Sequence, residues 1–139
     1  MSQNFMEALF QGPKDVVMAQ KIVKVAVYVS LFIAIFTASF AIAGLYQTSS
    51  DTTWQYIMDP WSLFDVFLML IFTYFLYKRK LWASICIVVH QVLNLVIIYL
   101  DLGRFPGAIA MFKLILFISA IRAIRLINQD VKNHNVENA

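Results

Sequence analysis

Four long apolar stretches dominate the chain, and short polar segments separate them. Val25 to Tyr46 runs without a charge, and Trp61 to Tyr77 carries only Asp65. Leu81 to Leu100 has no formal charge but holds His90, Gln91 and Asn94. Phe105 to Ile127 carries Lys113, Arg122 and Arg125. A bilayer core takes about 20 apolar residues of helix, within a range of roughly 17–25, and each stretch falls inside that range. The pattern predicts four transmembrane helices over 25–46, 61–77, 81–100 and 105–127. Membrane strands are excluded, because barrels need short segments of alternating polarity.

The polar breaks suit helix ends. Pro60 and Pro106 sit where a first turn tolerates proline. Asp59 can cap the second helix. Lys78-Arg79-Lys80 and Asp101-Leu102-Gly103-Arg104 leave room only for tight turns. The longest connection runs from Gln47 to Asp59. Residues 14–127 form the membrane domain in this reading. Residues 128–139 are polar and read as a flexible C-terminal tail. Residues 1–13 read as a polar N-terminal arm that the bundle does not need. Within it, Glu7-Ala8-Leu9-Phe10-Gln11-Gly12-Pro13 resembles a picornaviral 3C protease cleavage site, the pattern an engineered remnant leaves.

Composition makes a soluble reading harder still. The chain has 139 residues, of which 61% are hydrophobic and 14% charged. Soluble domains average about 45–50% and 25%. A small sphere has too much surface to hide such an excess. The net charge of +3 lies at the edges of apolar segments, which points to bilayer orientation and not to nucleic acid. A single cysteine, Cys86, builds neither an internal disulfide nor a metal site.

Lysine and arginine set the orientation. Lys14, Lys21 and Lys24 precede the first helix, Lys78, Arg79 and Lys80 join the second to the third, and Arg122, Arg125 and Lys132 follow the fourth. That is nine of eleven basic residues on one side, the exceptions being Arg104 and Lys113. Both termini are therefore expected in the cytoplasm. Trp54, Tyr56, Trp61 and Tyr99 would belt the outer interface, and Tyr74, Tyr77 and Trp82 the inner one.

Polar groups inside such helices are the candidates for chemistry, because the bilayer makes them costly. At about 1.5 Å per residue, Asp65 lies about 8 Å and Lys113 about 10 Å below the outer helix ends. Asn94 and Ser39 reach a similar depth from the other two helices. His90 lies one turn deeper, on the same face as Asn94. One reading pairs Asp65 with Lys113, with Asn94 and Ser39 completing the hydrogen bonds, as a structural clamp. The other makes Asp65, His90 and Lys113 a polar pocket or proton path open to the outside. Arg122 and Arg125 complement a helix C-terminus and can contact anionic lipid headgroups. Their spacing resembles a voltage sensor, but two arginines at the membrane edge do not make one. Thr37, Ala41 and Gly44 offer a smooth packing face on the first helix. The sequence contains no phosphate loop, paired histidines, nucleophile elbow or metalloprotease helix. No catalytic, cofactor or metal residue is assigned.

Trp61-Ser62-Leu63-Phe64-Asp65, Tyr77-Lys78-Arg79-Lys80 and the Arg122-Ala123 exit resemble small bacterial four-helix membrane proteins of uncharacterised function. The likeness covers residues 61–125 and implies a four-helix fold in a bacterial inner membrane, with no activity attached. The expectation is thus an all-α, four-transmembrane-helix bundle acting as a non-enzymatic accessory or interaction subunit. Its partners would be the bilayer and a protein or a second copy. A small transporter or channel protomer at Asp65, His90 and Lys113 is the alternative, and an intramembrane enzyme is the weakest reading.

Overall fold

A computed structural model describes residues 3–44, 62–102 and 107–137, and these are all-α. Five helices follow in order: α1 (Phe5–Gln11), α2 (Val16–Gly44), α3 (Ser62–Tyr77), α4 (Leu81–Leu102) and α5 (Ala108–Glu137). The loop over 47–59, the Asp59-Pro60 start, Trp61 and Pro106 lie outside the described residues.

The local chemistry explains where the elements begin and stop. Gly12 closes α1 with φ 97°, a conformation that side chains resist, and its N–H bonds to the Ala8 carbonyl at 3.0 Å. Asp15 then caps α2: the Met18 N–H donates to Asp15 Oδ1 at 2.6 Å. That cap is why α2 starts at Val16, well before the expected Val25. Lys21 and Lys24 are exposed on its surface, so continuing the helix past them strands no charge. Between α3 and α4 the turn is a Schellman motif. The Lys80 N–H reaches the Phe75 carbonyl at 3.0 Å and the Arg79 N–H reaches Leu76 at 2.9 Å. Arg79 takes the left-handed position with φ 56°.

The four long helices form a closed ring. α2 packs on α3 and α5, and α4 packs on α3 and α5. Among the described residues, neither diagonal pair, α2 with α4 or α3 with α5, makes contact. The main core joins Ile22, Ala26, Leu76, Ile87, Phe117 and Ile124, all in the half that carries most of the basic residues.

Three expectations change. The N-terminal segment is no detached polar arm: α1 packs on α2 and α5, with Ala8 and Leu9 buried in the main core. Ser119 Oγ donates to the Ala8 carbonyl at 3.4 Å, and Arg122 Nη1 donates to the Phe10 carbonyl at 3.2 Å. The C-terminal tail is not flexible from residue 128, because α5 continues to Glu137. Polar residues favour an exposed helix as readily as coil once the preceding turns template it. Finally, α4 runs through Asp101 and Leu102, so half of the expected turn is helical.

Among the described residues, one helix, over Val16–Ala43, is long and apolar enough to cross a membrane, with mean hydropathy 2.3 and 28% of its most apolar stretch buried. Ser62–Tyr77 and Leu81–Ile97 are apolar but shorter. They span about 24–26 Å, against a hydrocarbon core of about 30 Å. The apolar part of α5 holds three cations, Lys113, Arg122 and Arg125.

Burial of α1 generates a test. Leu9→Ala should lower stability by ~2–3 kcal/mol, as emptying a buried leucine site does. Removing residues 1–13 should cost at least as much. Thermal unfolding of the purified chain in detergent reads both, and unchanged midpoints would mean that α1 contributes nothing to the fold.

Candidate functional site

Asp65 stands in the first turn of α3, where the positive end of the helix dipole favours a carboxylate. His90 and Asn94 lie one turn apart on α4 and reach it together. His90 Nε2 hydrogen-bonds Asp65 Oδ1. Asn94 Nδ2 donates to Asp65 Oδ2 at 3.4 Å. With Asn94 as a donor to one oxygen, the simplest arrangement has both carboxylate oxygens accepting and the imidazole proton on Nε2. His90 Nδ1 is then the exception. It is buried and has no hydrogen-bond partner among the described residues. The His90 side chain is 14% exposed and Asp65 40%, so the carboxylate sits at the rim and the ring beneath it.

The structure brings together three of the five candidate residues, Asp65 and Asn94 from the expected layer and His90 from one turn below it. Lys113 does not join them. It is half-buried on α5, and no acid lies within salt-bridge range of it among the described residues. The expected Asp65–Lys113 pair is therefore replaced by Asp65–His90. The reason is the ring: α3 and α5 stand at opposite corners, so matching depth does not bring their side chains into contact. Ser39 fails for a different reason: α2 does pack on α3, but Ser39 lies on the exposed side of α2. Its hydroxyl donates to the Ile35 carbonyl of its own helix at 2.9 Å. Both Arg122 and Arg125 are exposed, with Arg122 held against the end of α1.

A second polar contact was not anticipated from the sequence. Thr73 Oγ1 donates to the Met69 carbonyl at 2.6 Å, which uses its only proton. The Ser30 hydroxyl must therefore donate to Thr73 Oγ1, at 2.5 Å. Both residues are buried, and the bond ties α2 to α3. The signal was present in the spacing of Ala26, Ser30 and Ala34 at i, i+4, i+8, a small-residue stripe longer than the Thr37-Ala41-Gly44 face singled out above.

Chemically, the Asp65 cluster can fix the register of α3 against α4 and can hold or pass a proton between carboxylate and imidazole. Among the described residues, no group of three His, Cys, Asp or Glu side chains gathers as a metal site requires.

A double-mutant cycle tests the assignment. Asp65→Asn and His90→Phe should couple by ~1 kcal/mol, the scale of polar helix-helix contacts in membranes. Lys113→Met combined with Asp65→Asn should be additive within about 0.5 kcal/mol. Stability in detergent is the measurement, and the reverse ranking of the two couplings would restore the lysine pair.

No protein-family model, no curated protein and no solved structure matches this chain.

Proposed function

We propose that this chain is a multi-pass protein of a bacterial inner membrane, a four-transmembrane-helix bundle with both termini cytoplasmic, which acts as a non-enzymatic accessory or interaction subunit. The observation that carries the reading is the closed clamp of His90 and Asn94 on Asp65. A carboxylate with both oxygens engaged by the neighbouring helix locks helix register, and the groove between α2 and α3 does not reach it.

Membrane residence rests on what the helices leave outside. Phe32 and Phe36 on α2, Phe64 and Phe67 on α3, Leu93 and Val96 on α4, and Ile109 and Phe112 on α5 are all exposed. Soluble monomers seldom expose contiguous apolar patches beyond a few hundred Å². The low burial of α2 argues against a soluble core helix. A helix as short as α3 can be accommodated by local thinning of the bilayer. The interaction role rests on Lys113, a half-buried cation with no acid beside it in the described residues. An acidic side chain from a partner helix would satisfy it.

The buried His90 Nδ1, without a partner among the described residues, favours the second reading, a small transporter or channel protomer working through Asp65 and His90. In that case proton flux into proteoliposomes should appear and vanish in Asp65→Asn.

Two measurements test the main proposal. In a Cys86→Ser background, cysteines at Ser50 and Asn138 should label from opposite sides of the membrane. External labelling at both positions would defeat the topology. Affinity purification of the full chain in mild detergent should bring down a stoichiometric membrane partner or a second copy, and Lys113→Met should weaken that association at least fivefold. A monomer without a partner, unaffected by Lys113→Met, would overturn the interaction role.

A further inference from the structure

A groove of about 560 Å³ runs between α2 and α3. Its walls include Lys24, Tyr28 and Leu31 of α2, Leu70 and Tyr77 of α3, and Arg79 of the following turn. Polarity changes along its length. Gln20, Lys24, Tyr77 and Arg79 cluster at one end, and Leu31 and Leu70 line the other. From Gln20 to Leu31 along α2 is about 16 Å.

Among the described residues, the basic end has no counter-charge. No carboxylate lines the groove, and neither Lys24 nor Arg79 is ion-paired among the described residues. Lys78 adds a third cation nearby, with its ammonium 5.8 Å from the centre of the Tyr74 ring. Arg79 also occupies the left-handed position of the Schellman turn, φ 56°, where glycine is the usual and less strained residue. The guanidinium is thus kept at the groove mouth against the preference of the backbone.

We propose that this groove holds one acyl chain of an anionic phospholipid, with the lipid phosphate between Lys24 and Arg79. This rests on the membrane reading given above. Two cations flanked by tyrosines at the bilayer interface suit a phosphodiester headgroup. The apolar floor beyond them suits a hydrocarbon chain running toward the membrane interior. Charge favours a lipid over an apolar partner helix, because the two cations at the mouth call for an anion directly beside the apolar floor.

Arg79→Gly is the informative variant, because it removes the charge and relieves the turn. The purified full chain is titrated with phosphatidylglycerol, phosphatidylcholine and inorganic phosphate, and native mass spectrometry reads the bound species. The wild type should retain one phosphatidylglycerol in preference to phosphatidylcholine. Arg79→Gly with Lys24→Gln should weaken that binding about tenfold, while the melting temperature without lipid stays level or rises. Leu70→Trp, which fills the apolar end, should weaken it similarly. Lys14→Gln with Lys132→Gln, which removes two cations outside the groove, should leave it unchanged. Equal loss in that control, indifference to Leu70→Trp, or competition by inorganic phosphate at the same concentration as lipid would each overturn the proposal. So would a photocrosslinker at Leu70 that captures a protein and no phosphatidylglycerol. A chain that fails to float with liposomes overturns the membrane reading as well, whereas one that floats and shows no preference for phosphatidylglycerol overturns the groove alone.

Discussion

The buried face of α2 mixes Ile22, Val23 and Val27 with five small residues, Ala19, Ala26, Ser30, Ala34 and Ala41, and the small ones govern how near its neighbours can come. α5 answers with Ser119, Ala120 and Ala123, all fully buried. Small residues let helix backbones approach until dispersion contacts accumulate along their length. α2 and α5 accordingly share the central role, α2 touching α1, α3 and α5, and α5 touching α1, α2 and α4. Ser30 adds direction to that packing. A hydroxyl buried between two helices loses its hydration unless it bonds, so its contact with Thr73 selects one rotation of α3 about α2.

The closed ring makes polar pairing a problem of azimuth as much as of depth. Adjacent corners can share charges and diagonal corners cannot. Asp65 on α3 therefore meets α4 and finds His90 and Asn94 there. Lys113 on α5, expected at the same level, stands across the ring. The same geometry divides the molecule into two ends of different character. The Asp65 clamp ties α3 to α4 near the start of α3. The basic end holds the main apolar core, the α1 contacts and the groove between α2 and α3.

α1 shows how a short segment becomes structural through what it covers. So short a helix is not stable in isolation. Leu9 and Ala8 fill space against α5, and Arg122 supplies a donor to a carbonyl at the end of α1 that the helix itself leaves unsatisfied. Arg122, which the sequence assigned to lipid headgroups as an expectation, is thereby drawn into holding two helices together.

Local properties were legible in the residues themselves. Long uncharged runs demand helices, because a backbone in an apolar setting must satisfy its own hydrogen bonds. The described residues are all-α as those runs require, and the starts of α3 and α4 fall within one residue of the expected positions. His90 and Asn94 were expected to share a face, since i and i+4 always do. The partner of Asp65, the lack of an acid beside Lys113 among the described residues and the outward position of Ser39 were not legible, because each depends on which helices are neighbours and on how each is rotated about its axis. Sequence spacing sets height along a helix, but the order of helices around the ring arises only when all their faces pack at once. The groove has the same origin. Lys24 and Arg79 are far apart in the chain, and only the antiparallel packing of α2 on α3 puts both cations at one mouth.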